Sequence, residues 1–324
     1  MIREDRFMKT RMFLAAAAVT LCAVTGPASA FPDKNITFII PFSPGGGFDV
    51  YVRLISPYVE KYLPKKVSVV PKNMPGAGGR KGLTAGYRAK PDGYTLAIAN
   101  VPGVAIPPIL GQKVSYDLTK MNWVARLSVD HYLLGVAGKS DIASVDALKT
   151  LSSSQAIKLP ATGAGSTAHA MSKIFIGVVG FKGEVVSGYQ GTKEMTIAVI
   201  RGDVPASTLP VNSTRKYIQS GDIKALMTTE EISSLPGVKT AKEMGYGDLD
   251  GLAIQRLVGA APGVPHAVQQ ILSDAFTKAM ADPKLVAAAN KAKRPFAPLS
   301  GAEAKRVLDK QLAVYLKFKD DLAK

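Results

Sequence analysis

The sequence predicts an α/β protein of two lobes, and three observations lead to this. Short apolar runs typical of strands alternate with amphipathic segments typical of helices along most of the 324 residues. Glycine-rich turns follow several of these runs. The pattern changes near 130 and again near 257 without a linker rich in Gly, Ser or Pro. We therefore expect lobe 1 to comprise 31–130 and 257–324, lobe 2 to comprise 131–256, and a ligand cleft to lie between them at a hinge crossed twice.

The first 30 residues differ from the rest and predict a secretory signal peptide. Basic residues at 3, 6, 9 and 11 precede an apolar run over 12–24, and small residues end at Ala30, after which we expect cleavage. The run is shorter than the ~20 residues of a membrane span. The single cysteine, Cys22, follows Leu21 rather than the small residue that lipid attachment requires, so a lipoprotein is not expected.

The charge of the chain favours anionic partners. Its formal net charge of +16 becomes +14 when the four basic and two acidic residues of 1–30 are left out. No run of five basic residues occurs, and aromatic residues are not interleaved with basic ones. A nucleic-acid partner is therefore not expected.

The first strand runs into a glycine turn. The apolar run at 36–40 ends at Pro41, and three glycines at 45–47 let the backbone approach a ligand without interference from Cβ atoms. Asp49 stands where a helix N-cap is expected and is spaced to pair with Arg53 at i+4. An anion at such a helix start gains from the free N–H groups and the helix dipole. A turn that only joins strand to helix would have the same composition.

The remaining elements of lobe 1 continue the alternation. We expect a strand at 67–70, a glycine-rich turn at 74–79, a helix over 79–89 and a strand at 94–98. These are typical of βαβ units on a largely parallel sheet, whose strand ends face one crevice. The turns at 43–48, 74–79 and 100–103 should therefore converge on the cleft.

Lobe 2 repeats the alternation, and the chain then returns to lobe 1. Strands are expected at 132–137, 157–159, 185–189, 204–209 and 223–227, and helices at 144–151, 169–179, 193–200 and 214–220. A returning strand at 258–261 precedes helices at 266–280 and 301–319.

A second glycine turn, Thr162–His169, opens a helix in lobe 2 and is again suited to an anion. Gly163, Gly165 and Ala168 also fit the looser dinucleotide pattern G-x-G-x-x-A. We reject that alternative because no convincing acidic residue follows about 20 positions later at a strand end, although Glu184 is near. An exported protein would also meet little nicotinamide cofactor.

Several motifs together resemble one known family. They are PF-x-P-G-G-G-x-D-x-x-x-R at 41–53, N-x-P-G-A-G-G at 73–79 and P-D-G-Y-T-L at 91–96, followed by Y-Q-G at 189–191 and G-D-V at 202–204. In this order they are similar to the substrate-binding proteins of tripartite tricarboxylate transporters, the Bug (TctC-like) family. The sequence departs from the commoner family pattern at Met74 and Pro205, which bears on the ligand more than on the fold.

The resemblance implies a two-lobed, type II periplasmic-binding-protein-like fold that closes around a small organic carboxylate. It implies a periplasmic, monomeric receptor without a cofactor or metal, which delivers its ligand to a two-subunit membrane permease. A sensor of the same fold that presents a carboxylate to a signalling partner would have the same sequence features.

An enzyme is not expected. The sequence lacks the G-x-S-x-G, H-E-x-x-H, Walker A and C-x-x-C patterns. A secreted hydrolase using Ser166 and His169 is the remaining catalytic alternative. We expect His169 instead to orient the turn or the ligand.

The candidate site combines both turns. Backbone N–H groups near 44–48 would hold one carboxylate. Those of 163–166, together with the Ser166 and Thr167 hydroxyls, would contact the ligand from lobe 2. Phe48, Tyr189 and Pro210 would shape the remaining cleft. The predicted ligand-binding residues are Ser43, Pro44, Gly45, Gly46, Gly47, Phe48, Asp49, Asn100, Gly163, Gly165, Ser166, Thr167, His169 and Tyr189.

Overall fold

The structure is a computed structural model that describes residues 31–163 and 165–323. The predicted signal peptide and its cleavage site lie outside these residues. The strands are β1 Ile36–Ile40, β2 Val69–Asn73, β3 Thr95–Val101, β4 Asn122–Ala137, β5 Ile157–Ala161, β6 Gly183–Ser187, β7 Ala206–Pro210, β8 Ile223–Thr228, β9 Ala253–Ala260 and β10 Leu299–Ser300.

Helices cover the strands in both lobes. They are α1 Gly47–Tyr62, α2 Arg80–Tyr87, α3 Ile106–Ile109, α4 Val145–Ser154, α5 Thr167–Val179, α6 Thr192–Arg201, α7 Val211–Gln219, α8 His266–Ala281, α9 Pro283–Lys291, α10 Gly301–Lys317 and α11 Lys319–Ala323. The α/β class is therefore confirmed, and α3, α9 and α11 are additional to the predicted helices.

The central sheet of lobe 1 has the strand order β10-β4-β9-β3-β1-β2. Strands β2, β1 and β3 are parallel, whereas β9 is antiparallel to both β3 and β4. The prediction of a largely parallel sheet thus holds only for the first three strands. Helices α1 and α8 pack together over one face, with Tyr51, Val52 and Ile55 buried beneath α1.

Strand β4 belongs to both lobes. Its first part, up to His131, pairs with β9, and its second part, from Tyr132, pairs with β7 and β8. The apolar pattern predicts a strand only from Tyr132 because Ser128 and Asp130 interrupt it. Both of these polar residues are nevertheless buried. The predicted lobe boundary therefore falls inside one continuous 16-residue strand.

The C-terminal helices also contact lobe 2. Helix α10 packs along β4, and α11 packs on α5. Phe318 and Leu322 join a buried apolar cluster that also contains Ile174 and Phe175 of α5. Although the sequence pattern assigns 257–324 to lobe 1 and predicts two crossings of the hinge, the end of the chain thus makes a third connection between the lobes. The division into lobes at these residues stays a prediction.

Candidate functional site

The turn after β1 presents unpaired backbone donors at the start of α1. Gly45 has a φ of +79°, which L side chains rarely adopt, and Gly46 is the helix N-cap. The N–H groups of Gly46, Gly47 and Phe48 form no hydrogen bond with another described residue. Because α1 is 16 residues long, its dipole adds a positive potential at these donors. The geometry suits an anion.

Asp49 orders this turn from within. The N-cap is Gly46, so the prediction that Asp49 caps the helix is wrong: Asp49 is the third helical residue. Its carboxylate accepts hydrogen bonds from the Gly45 N–H at 2.9 Å, from Arg53 Nε at 2.9 Å and from Asn73 Nδ2 at 2.9 Å. The predicted i+4 pair with Arg53 is therefore present. Burial by itself would raise the pKa of Asp49, but these donors together outweigh burial and keep the pKa below its usual value.

The second glycine-rich segment supports the first turn from behind. Asn73 Nδ2 also donates to the carbonyl of Phe42 at 2.9 Å, and a Cβ atom on Gly79 would lie 3.2 Å from the Phe42 ring. The turns at 43–48 and 74–79 are thus in contact, as expected from their places at one edge of the sheet. The second segment therefore stabilises the conformation of the first turn.

Arg256 of β9 lies beneath the glycine turn, and sequence reasoning missed it. Its side chain is only 7% exposed, and its Cζ lies 4.9 Å from the ring centre of Phe48 and 5.0 Å from that of Tyr51. Nη1 donates to Ser128 Oγ at 3.2 Å, while Nε is buried without a hydrogen-bond partner. Nη2 lies 3.8 Å from the position a Cβ atom would take on Gly47.

A signal for Arg256 exists in the sequence. It is a lone cation next to the apolar run Leu257–Ala261. A buried arginine is uncommon unless it is paired. The apolar pattern predicts a strand only from 258, which places Arg256 in the preceding loop, where a cation needs no explanation.

The turn after β5 builds a second helix start in lobe 2. Gly165 has a φ of +72°, and Ser166 caps α5 by accepting a hydrogen bond from the His169 N–H at 3.2 Å. The Ser166 hydroxyl and the His169 ring form no hydrogen bond with each other. This arrangement is that of a helix cap, not of a nucleophile and its base. Burial, assisted by Lys173, lowers the pKa of His169.

A hydrogen bond joins the end of β3 to the start of α5 across the cleft. Asn100 at the end of β3 donates from Nδ2 to Thr167 Oγ1 at 3.2 Å. A Cβ atom on Gly103 would lie 2.8 Å from the same Thr167 oxygen. Asn100 and Arg256 are directly opposite each other in the β3–β9 pair, so their side chains share one face of the sheet. Contacts therefore connect the start of α1, Arg256, Asn100 and the start of α5.

The remaining predicted residues have varied positions. Ser43 and Pro44 are exposed on the first turn, and a Cβ atom on Gly163 would meet no atom within 4 Å. Phe48 is buried against Phe42, with 4.7 Å between the ring centres. Tyr189 packs against apolar clusters of lobe 2, and its N–H donates to Ala161. Pro210, the N-cap of α7, is buried. The predicted ligand contacts themselves stay predictions.

A buried acid lies near this site at the hinge. Asp130 of β4 is 2% exposed, and its Oδ1 accepts a hydrogen bond from the Asn212 N–H at 2.9 Å. Burial raises the pKa of Asp130 to about 6, although Arg256 and the Asn212 N–H favour the charged form.

Two cavities of about 610 and 450 Å³ lie away from the cleft. The larger is lined by residues of α5, 245–248, α10 and α11, and the smaller by residues of β4, α8 and the start of α10. Within 31–163 and 165–323, no helix is long and apolar enough to cross a membrane. The same residues contain no group of three or more His, Cys, Asp and Glu side chains that could hold a metal ion.

A family model and a curated relative both place the chain among proteins of one family. The TctC family model, described as "Tripartite tricarboxylate transporter family receptor", matches residues 52–312. The chain is similar to Protein BugT of Bordetella pertussis, at 29% identity over 224 residues, which are 66% of this chain and 65% of that protein. The match thus spans slightly less than two thirds of that relative's length.

Solved structures show the same fold. A TctC solute binding protein from Polaromonas superposes with a TM-score of 0.75 at 22% identity, covering 90% of this chain and 99% of the other. MatC from Rhodopseudomonas palustris, solved with malate, superposes with a TM-score of 0.73 at 22% identity, covering 91% of this chain and 100% of MatC. R. palustris Rpa4515, solved with adipate, superposes with a TM-score of 0.73 at 21% identity, covering 90% of this chain and 98% of Rpa4515. At these identities the likeness concerns the fold, which is the predicted two-lobed one.

Proposed function

The chain belongs to the tripartite tricarboxylate transporter receptor family, and on that premise we propose that it binds a small organic carboxylate between its lobes. The proteins of this family are periplasmic solute receptors and not enzymes. Two structural neighbours were solved with malate and adipate, which supports a carboxylate as the ligand class.

The observation that carries the proposal is the meeting of two helix starts. The amino end of α1 supplies free N–H groups, and the amino end of α5 lies on the other side of the Asn100–Thr167 hydrogen bond. A carboxylate accepts hydrogen bonds from such neutral donors and gains from both helix dipoles. Closure of lobe 2 on lobe 1 would then bury the ligand.

The proposal includes delivery and export. The receptor would pass its ligand to a two-subunit membrane permease and act as a monomer. It would be exported to the periplasm by the signal peptide in 1–30 and cleaved after Ala30. N-terminal sequencing of the exported protein tests the cleavage site.

Uptake of the ligand by cells that lack either permease subunit tests delivery. Uptake unchanged by the deletion would refute delivery to that permease.

The binding claim is tested with purified protein comprising 31–324. Thermal shifts are measured with malate, adipate, other aliphatic and aromatic carboxylates, amino acids, phosphates and nucleotides. A ligand at about 100 times its Kd adds about 2.7 kcal/mol to stability, which shifts the midpoint by several degrees. A response to one class of carboxylates supports the proposal. A response to nucleotides with a flat carboxylate series would overturn it in favour of a nucleotide site at 163–168.

A further inference from the structure

We propose that Arg256 binds a carboxylate of the ligand directly and makes the site selective for anions over neutral molecules of the same shape. The inference rests on the proposed receptor function, since it concerns the same cleft. It adds a charged contact to a site that sequence analysis built only from neutral donors.

One edge of the Arg256 guanidinium has no hydrogen-bond partner among the described residues. Nη1 is occupied by Ser128 Oγ, whereas Nε is buried without a partner and Nη2 makes no hydrogen bond with any described residue. Nε and Nη2 lie on the same edge of the planar group and present two parallel N–H bonds. A carboxylate accepts both of these in the bidentate geometry that arginine favours.

This edge lies at the glycine turn. Nη2 is 3.8 Å from the place of a Cβ atom on Gly47, the first residue of α1. An oxygen held by the N–H groups at the start of α1 is therefore within reach of the guanidinium. The absence of a side chain at Gly47 keeps the path between them open.

The guanidinium is fixed in place before a ligand arrives. The rings of Phe48 and Tyr51 lie 4.9 and 5.0 Å from its Cζ, and the Tyr51 hydroxyl is itself fixed by donating to the Pro295 carbonyl at 3.0 Å. Stacking on aromatic faces and the bond to Ser128 restrict its rotation. A preorganised cation loses little conformational entropy when it binds its partner.

The charge of Arg256 also lacks a counterion. Among the described residues no carboxylate lies within 4.0 Å of it, as the ion pairs present involve other cations. Asp130 is close enough to interact electrostatically, but its own burial favours the neutral acid. A buried cation without a paired anion is unfavourable. The ligand carboxylate would supply the missing charge.

Calorimetric titration of the 31–324 protein tests the inference with malate and adipate and with their neutral diamides. For whichever acid binds, we expect Arg256→Gln to raise the Kd at least 100-fold and Arg256→Lys at least tenfold, because lysine keeps the charge but loses the fork. The wild type should bind the diamide at least 100-fold more weakly than the acid. Arg256→Gln should reduce this preference to less than tenfold.

Arg126→Gln is the matched control. Arg126 is a neighbouring arginine of β4 whose Nε and Nη1 already donate to the Ala297 carbonyl and Gln255 Oε1, at 2.8 and 3.2 Å. Its removal should leave the Kd and the preference for acid over diamide unchanged. An equal loss of affinity in Arg126→Gln would show that the effect of Arg256→Gln is not specific, and would overturn the inference.

Gly47→Val tests the same contact with Arg256 intact, in case Arg256→Gln does not fold. The valine side chain would enter the space in front of Nη2, so we expect at least a tenfold rise in Kd with unchanged circular dichroism. If the wild type binds an acid and both Arg256→Gln and Gly47→Val bind it as tightly, only the role of Arg256 is refuted. If the wild type binds no carboxylate in the thermal series, the receptor proposal and this inference both fall.

Discussion

At the scale of single residues, neighbouring glycines of the first turn have different reasons to be glycine. Gly45 has a φ of +79° and is required by the backbone. Gly46 has a φ of −74°, which any residue can adopt, and a Cβ atom there would meet only the Ser43 carbonyl at 3.4 Å. The conformation thus permits a side chain at Gly46, and the need for free approach to the N–H groups explains its absence.

Replacing Gly46 by leucine should therefore abolish carboxylate binding without unfolding the protein. The side chain would cover the donors at the start of α1, and the Kd should rise at least 100-fold, while the melting temperature changes by no more than about 2 °C. Titration and thermal melts check both. Gly247→Leu, at a position distant from the cleft with open space around it, is the control. Tight binding by Gly46→Leu would show that the anion is held elsewhere.

Asp130 gives the molecule a specific dependence on pH. Because its pKa rises from 3.8 to about 6 on folding, the folded state holds its proton more tightly than the unfolded state. The stabilising contribution is therefore complete below about pH 4 and is lost as pH rises through about 6. Asp130→Asn, which stays neutral and can still accept from Asn212, should be more stable than the wild type above that pH.

The difference in unfolding free energy between Asp130→Asn and the wild type should grow by about 2.4 kcal/mol between pH 4 and pH 8. Urea denaturation at a series of pH values measures it. Asp141→Asn, at an exposed aspartate, is the control for the loss of a surface carboxylate. A flat difference for Asp130→Asn would show that folding does not raise the pKa of Asp130.

At the scale of elements, helix α1 and its turn form one unit through Asp49. Asp49→Ala would leave the Gly45 N–H, Arg53 and Asn73 without their common acceptor. We expect a loss of about 2–3 kcal/mol in unfolding free energy and weaker carboxylate binding. Chemical denaturation and titration measure the two effects. Asp146→Ala, at an exposed first-turn position of α4, should cost only a few tenths of a kcal/mol.

Sequence patterns predict those elements whose causes are local. Glycines and prolines at 41–47 mark the first turn unambiguously, and the helix predicted at 266–280 corresponds to α8. Elements fixed by distant partners are missed or misplaced. The part of β4 up to His131 contains polar Asp130, whose partner Asn212 lies 82 residues away. Arg256 is fixed by Ser128, which is 128 residues away, so no local pattern could assign it to the cleft.

At the scale of the whole molecule, the Asn100–Thr167 hydrogen bond is one of the contacts that hold the lobes together. Thr167→Val keeps the shape of the side chain and removes the acceptor. At about 1 kcal/mol per hydrogen bond, the ratio of open to closed molecules should rise about fivefold. The Kd should rise by no more than the same factor, since the ligand must then close a more open receptor.

Single-molecule energy transfer measures this shift directly. Residues 31–324 contain no cysteine, so cysteines introduced at exposed Val70 and Ile232 would be the only labelling sites. The control is Thr150→Val, at an exposed threonine of α4, and it should leave the transfer distribution unchanged. Identical transfer distributions for Thr167→Val and the wild type would show that other contacts set the closed state.

The sharing of strand β4 constrains how this protein can be altered, in evolution or by design. Its residues up to His131 pair in one sheet and those from Tyr132 pair in the other. Each lobe therefore depends on a strand that it shares with the other lobe. Exchange of a whole lobe between two homologues would have to cut a paired strand and rebuild a sheet on each side. Turns at strand ends can change without disrupting the pairing of either sheet. New ligand preferences should therefore arise by substitution in the turns rather than by recombination of lobes.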